Sequence, residues 1–475
     1  MKIEDINVTQ TIAQTRELLK ENKTLPPELV ALVSVLLTVL EILLTRLNKN
    51  SSNSSIPPSQ DPNRAKTPKN GENKKKPGGQ PGRAGKQLKP LFPDEIIEVP
   101  INRTSLPTGH IYKKVGVAKR QVVEFLVSRK VIEYQLEVVE DERGRRFTAQ
   151  GPEGTSRPIQ YGASIKTTAS YMSMYQLIPY ARVEEYFRDQ ASIPLSQGTL
   201  FNFNKEAYER LEAFERIAKE KLRQSAFLHA DETSINVGGK HYWLHGALND
   251  KWTLFMPHKK RGKEALDEMD ILPWFQGVVI HDHWLAYFMY DQCSHGLCNA
   301  HLLRELQAAV EASPKNTWAS SMKDLLLEIN ETVKQKNGAL SEDASKQYRE
   351  KYREILKLGN EECPPPPEDP NKQKKRGKIK QSKERNLLER MVQYDDEVLR
   401  FMDVTHVPFT NNPAENDLRM TKVHQKISGC FRSFEGAQIF CRIRSFLLTA
   451  QKHGLNATEA LNDLFQGKLP DFSRI

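Results

Sequence analysis

The chain is short of cysteine. Its five, Cys293, Cys298, Cys363, Cys430 and Cys441, are odd in number and irregularly spaced. That excludes a disulfide framework and suits a reducing cytosol. Residues Met1 to Gln10 lack an apolar core and carry Glu4 and Asp5, so no secretory signal peptide is expected. Long apolar runs are scarce too. Leu29 to Leu47 comes nearest, broken by Ser34, Thr38, Glu41, Thr45 and Arg46. A bilayer span takes about 20 apolar residues, and both Glu41 and Arg46 are costly inside one. Leu29, Leu36 and Leu43 recur every seven residues with Leu32 and Val39 between them. That is the spacing of a short coiled coil or a packed helix. A coiled coil or buried helix is the expectation, and a membrane span is its rival.

What is present is basic charge. The 475 residues, enough for two or three domains, carry a formal net charge of +10. The excess favours a polyanion, most simply nucleic acid, although a solvated basic surface would look the same. Much of it sits in one place. From Lys49 to Pro90 there are eight Lys and two Arg, including Lys74, Lys75, Lys76 and Arg83, against Asp61 and Glu72. Almost nothing there can build a core, so 49–92 reads as a disordered basic linker. It can track phosphates through counterion release or merely connect.

The flanking segments differ. Residues 1–48 read as helix, with Pro26-Pro27 opening the apolar part. Residues 93–158 alternate as two or three strands of a small β module. Over 159–210, Pro179 and Pro194 bracket one helix and Ser196 or Gln197 starts the next. Such a pair is a helix-turn-helix or an ordinary packing unit. Then SAFLHADETSINV, KHYWLHGAL and KWTLFMPH read as three strands, Gly262 to Met269 as a helix and GVVIHD as a buried strand ending on an acid. Three meandering strands, a helix and a buried fourth strand describe half of a ribonuclease H-like α/β sheet. Residues 300–405 are helical apart from the basic, proline-rich run at 363–385, which is expected to be a loop. Final helices run from about Pro413 to Phe465.

Three carboxylates stand out. Asp231 alternates onto one strand face with Phe227, His229 and Thr233, while Glu232 faces the other way. A charge inside an apolar strand is costly unless paired or metal-bound. Asp282 closes the GVVI run and can emerge at the sheet edge. If the two strands are neighbours, the acids can meet around a hard cation such as magnesium. Two such ions can activate a water or a 3′-hydroxyl and stabilise the leaving oxygen. Either Asp taken alone reads first as a turn or capping acid. Glu415 follows Asn412, a good N-cap, and Pro413, a good first helical residue, so it could be the acid of a capping box or a catalytic ligand. Arg419 and Lys422 share its helix face and suit a DNA backbone.

HADETSINVGGKHYWLHGAL, GVVIHDHWLAYF, CNAHLLREL and the long block from VPFTNNPAENDLRM to LLTAQKHG resemble the insertion sequence 66 family of DDE transposases. So do SSNSSIPPSQDPN, KKKPGGQPGRAGK and YGASIKTTASYMSMYQLIPYARVEEYF, and the likeness runs from about residue 50 to 465. The resemblance implies an α/β fold with a ribonuclease H-like catalytic core over 211–440, carrying a helical insertion at about 300–405, and C-terminal helices over 441–475. It implies a catalytic, metal-holding triad of Asp231, Asp282 and Glu415 with two Mg2+ or Mn2+ ions. The spacing from Glu415 to Lys422 is similar to a signature in which the basic residue contacts DNA. Expected partners are the element's terminal inverted repeats, target DNA, further copies of the chain and element-encoded helper proteins, in the cytoplasm at the nucleoid and away from membranes.

One departure is plain. Family members often carry a cysteine-paired zinc module ahead of the helix-turn-helix. Residues 93–158 hold no cysteine and only His110, so no zinc is expected there. Two rival functions remain. A zinc hydrolase could draw on His229, Asp231, His281, Asp282, His283, Cys298 and His301. A transposase-derived, non-catalytic DNA-binding protein would keep the linker and the helix-turn-helix.

Overall fold

The computed structural model describes residues 2–3, 6–21, 25–47, 49–54, 61–63, 89–152, 154–155, 157–313, 316–366 and 381–472. Lys74, Lys75, Lys76 and Arg83 lie outside the described residues, as does most of the basic linker. Among the described residues the chain is mixed α/β, with fifteen α-helices and one five-stranded sheet.

The N-terminal region is not one helix. Strands β1 (Lys2–Ile3) and β2 (Ile6–Asn7) pair and lead into α1 (Val8–Glu21), and Pro27 then opens α2 (Pro27–Leu47). Arg16 on α1 reaches Glu41 on α2 at 2.8 Å, and Ile12 and Leu37 are buried. Leu32, Val35 and Leu36 remain more than half exposed. As a buried helix of this chain, the expectation for α2 fails. Its apolar residues run nearly all round, and the shorter α1 covers only a strip of them. By length and composition, Pro27–Leu44 could cross a membrane.

The expectation of two or three strands over 93–158 is met by a single hairpin, β3 (Val138–Glu140) with β4 (Arg146–Thr148). Val138, Val139 and Phe147 are all more than half exposed. Two three-residue strands have no second layer to bury an apolar face, which independent stability requires.

A helical unit follows. Helix α3 (Ala163–Ser170) runs into a π turn at Tyr171–Tyr175, then α4 (Tyr180–Ala191) and α5 (Gln197–Arg210). Ser192 closes α4 in the left-handed region at φ 50°. The Ser196 hydroxyl caps α5 by accepting from the Thr199 N–H at 3.1 Å. Val183, Phe187, Leu195, Leu200 and Phe203 give this unit its own small core. Helix α6 (Glu212–Arg223) leads to the sheet.

The sheet contains β5 (Phe227–Val237), β6 (Lys240–Leu248), β7 (Thr253–His258), β8 (Val278–His281) and β9 (Ser294–Leu297), with α7 (Lys263–Met269) between β7 and β8. The order is β7-β6-β5-β8-β9, antiparallel among the first three and parallel from β5 to β8 to β9. Strand β9 was not expected. Its four residues, SHGL, carry neither alternation nor β-branched side chains. The insertion comprises α8 (Asn299–Ala312), α9 (Trp318–Lys336), α10 (Glu342–Glu362), α11 (Lys383–Gln393) and α12 (Asp395–Asp403). Trp318, Leu326, Tyr352, Leu388 and Met402 help form its core. The expected loop lies mostly outside the described residues, at 367–380. Helices α13 (Asn412–Ser428), α14 (Phe434–Lys452) and α15 (Ala457–Phe465) complete the fold. The edge of β7 is covered by α14. Thr449 and Ser445 hydroxyls accept from the Thr253 and Phe255 N–H groups at 3.1 and 2.8 Å, which protects an otherwise open edge.

Candidate active site

The site grows from the pairing of β5 and β8. His229 lies opposite Ile280 in parallel register. Asp231 stands two residues beyond that pair on β5, and Asp282 two residues beyond it, directly after β8. The third acid comes from remote sequence. Asn411, buried at 1% exposure, sits just before α13. Its side-chain Oδ1 accepts from His229 Nδ1 at 2.8 Å, and its Nδ2 donates to the Ala230 carbonyl at 2.9 Å. Its backbone N–H donates to Cys298 Sγ at 3.1 Å. Asn411 therefore hooks the start of α13 onto β5, and Glu415 stands one turn further along.

This arrangement corrects the expectation for the helix start. The N-cap is Asn411, not Asn412, and its side chain makes no capping bond because it is spent on β5. Nor is there a capping box. With Asn411 at the N-cap, Ala414 rather than Glu415 holds the third helical position, and Glu415 Oε1 is buried without a hydrogen-bond partner.

Burial pushes the Asp231 carboxyl well above the ordinary carboxylate range, and the negative charges of Glu232, Asp282 and Glu415 push it further. The Glu232 N–H, donating to Asp231 Oδ1 at 2.9 Å, pulls the other way. Thus Asp231 feels both other expected site acids through space. Carboxylates gathered in a poorly solvated place repel one another, and a multivalent cation relieves that repulsion.

Glu232 does face away, onto partners that the sequence did not suggest. Its carboxylate accepts from Arg261 at 2.8 and 2.5 Å and from the Tyr287 hydroxyl at 2.6 Å. Burial raises its carboxyl, and the Tyr287 hydrogen bond opposes that. The Arg261 guanidinium lies 4.4 Å from the Trp284 ring centre and 4.8 Å from that of Trp243. Nothing in HKKRG singled Arg261 out from its basic neighbours.

The zinc-hydrolase ligands do not gather as one set. His229 is engaged with Asn411, and His281 Nε2 faces His295 Nδ1 at 3.1 Å. Burial drives His229 down to about 4 and His281 to about 3. Among the described residues, donor atoms of Cys298, His301 and Glu415 do lie within 4.8 Å of one another. Burial lowers His301 and raises the Cys298 thiol.

The two basic residues on α13 differ. The Lys422 ammonium donates to the backbone oxygen of Ser234 and, at 2.9 Å, to its hydroxyl. It thus ties α13 to β5, and burial lowers its pKa. Arg419 is exposed.

Comparison with known proteins gives one family. Residues 158–439 match the profile described as Transposase IS66 family. No curated protein matches the chain.

Proposed function

We propose, because the chain belongs to the IS66 transposase family, that it cuts and joins DNA strands at the ends of an insertion sequence, using Asp231, Asp282 and Glu415. The observation that carries this reading is that the charges of Asp282, directly after the neighbouring strand β8, and of Glu415, on a helix remote in sequence, both act on Asp231 on β5. The sheet order, antiparallel on one side of β5 and parallel on the other, supports a ribonuclease H-like core.

The residues fit hard divalent cations. All three are oxygen donors, and Glu415 Oε1 lacks a partner. Asp231, Asp282 and Glu415 would hold Mg2+ or Mn2+, two ions in the full site. When bound, such ions supply an activated water or 3′-hydroxyl and stabilise the leaving oxygen. The chain's own work is positioning. Asn411 fixes Glu415 against β5, and Lys422 locks the next turns of α13 to the same strand. Arg419 meets backbone phosphate, and α4 with α5 acts as a helix-turn-helix on the terminal repeats. The 49–92 linker, including Lys74, Lys75, Lys76 and Arg83, adds sequence-independent grip.

In this reading α2 joins copies of the chain rather than entering a bilayer. Glu41 is ion-paired with Arg16, and a membrane core penalises such charges. Strand transfer of the element's own end DNA tests the proposal. Wild type should convert it with Mg2+ or Mn2+, and Asp231→Ala should not. A wild type that shifts end DNA but never cuts it, whatever divalent ion is added, points instead to a non-catalytic binding protein.

A further inference from the structure

His301 Nδ1 and Glu415 Oε1 face each other at 3.8 Å, and both are buried without a hydrogen-bond partner. The separation is too long for a hydrogen bond. It is also an odd place to leave two orphans, since buried polar atoms nearly always find partners. A cation explains the spacing. With ligand bonds of roughly 2.1 Å, two donors on one ion stand about 3.0 Å apart at a right angle and about 4.2 Å apart in line. The observed gap falls between these limits, so both atoms lie within reach of one shared ion after a small adjustment. Cys298 Sγ lies within the same 4.8 Å cluster, and His301 feels the charge of Asp282 as well as that of Glu415.

We propose that the cation held by Glu415 also takes His301 Nδ1 as a nitrogen ligand, with Cys298 sulfur beside it. This half of the site then prefers manganese to magnesium. The inference rests on the reading of Glu415 as a cation ligand. Its chemistry is general: a nitrogen donor is accepted by a transition-metal ion such as manganese more readily than by magnesium, which keeps to oxygen ligands and water. A hydrogen-bonded His301–Glu415 pair is the competing arrangement, and it needs a side chain to rotate. The α8 start supports the ligand geometry. His301 is held one turn into the helix, its N–H donating to the Cys298 carbonyl at 3.1 Å. Cys298 is fixed in turn by the Asn411 N–H.

The test uses the full chain with MnCl2 and pulsed electron paramagnetic resonance. The bound ion should show coupling to 14N, replaced by 15N coupling when the protein is grown on 15N-imidazole histidine. His301→Gln should abolish the coupling and weaken Mn2+ by about tenfold or more, with a smaller loss for Mg2+. The labelling measurement stands on wild type, so a poorly folding variant does not remove the test. Mn2+ that binds without nitrogen coupling, but still needs Asp231 and Glu415, overturns the His301 ligand and leaves the triad standing. Mn2+ binding unchanged by both Asp231→Asn and Glu415→Gln brings down the functional reading and this inference together.

Discussion

Asn411 and His229 are 182 residues apart in sequence yet meet at 2.8 Å, side chain to side chain, in a buried position. That contact, with the bond from Asn411 to Ala230, decides where α13 begins relative to β5. It therefore decides where Glu415 stands. Asn411→Ala should cost about 2–3 kcal/mol, because it leaves His229 Nδ1 and the Ala230 carbonyl buried and unpaired. Strand transfer should fall roughly 100-fold through misplacement of Glu415. Chemical denaturation and the transfer assay read the two effects. Full activity in a destabilised variant would show that Glu415 does not depend on this hook.

Asp231 should oppose stability in the metal-free protein. Its carboxyl is raised in the folded state by burial and by neighbouring acids. As pH rises from the usual carboxylate range through the raised value, the unfolded chain has lost its proton while the folded chain still favours holding it. Stability falls across that window. Asp231→Asn should therefore raise the metal-free Tm at neutral pH by about 2 °C and abolish strand transfer. The gain should vanish below the ordinary carboxylate range, where both forms are neutral. Thermal scans from acid to neutral pH check the sign.

Arg261 and Glu232 make a different prediction. The Glu232 side chain is 1% exposed and that of Arg261 39%. Arg261→Ala leaves a buried carboxylate with Tyr287 alone. The cost should be about 2 kcal/mol, less than for a fully buried pair because Arg261 is partly solvated. Without the cation, Glu232 holds its proton more readily, so the deficit should shrink as pH falls. A deficit independent of pH would mean that the lost packing against Trp243 and Trp284 dominates.

Lys422 and Arg419 should separate by assay. Lys422→Ala removes hydrogen bonds to Ser234 and should lower Tm before it affects DNA affinity. Arg419→Ala should leave stability within about 0.5 kcal/mol of wild type. It should weaken DNA binding and reduce the slope of log affinity against log salt by about one. Equal effects of the two variants on the salt slope would put Lys422 back among the phosphate contacts.

The sequence by itself determined the local elements. Period-two alternation and turn residues marked β5, β6 and β7, while GVVIHD marked β8 and the acid that ends it. Asp231 and Asp282 stood out as candidates because a charge in an apolar strand is costly unless paired or metal-bound. It could not place β9, whose SHGL has no periodicity and becomes a strand only by pairing with β8. It could not show that α2 would stay uncovered, because an apolar helix looks the same whether its neighbour lies in the chain or outside it. Nor could it choose between capping and ligation for Glu415, since both fit the same local spacing. Tertiary structure removed the capping box, and ligation by Glu415 remains the proposal. Asn411 takes the N-cap with its side chain on β5, which puts Glu415 one residue past the position a capping box uses. Partners more than a hundred residues away, closing a buried polar account, are invisible to any rule that reads only neighbours.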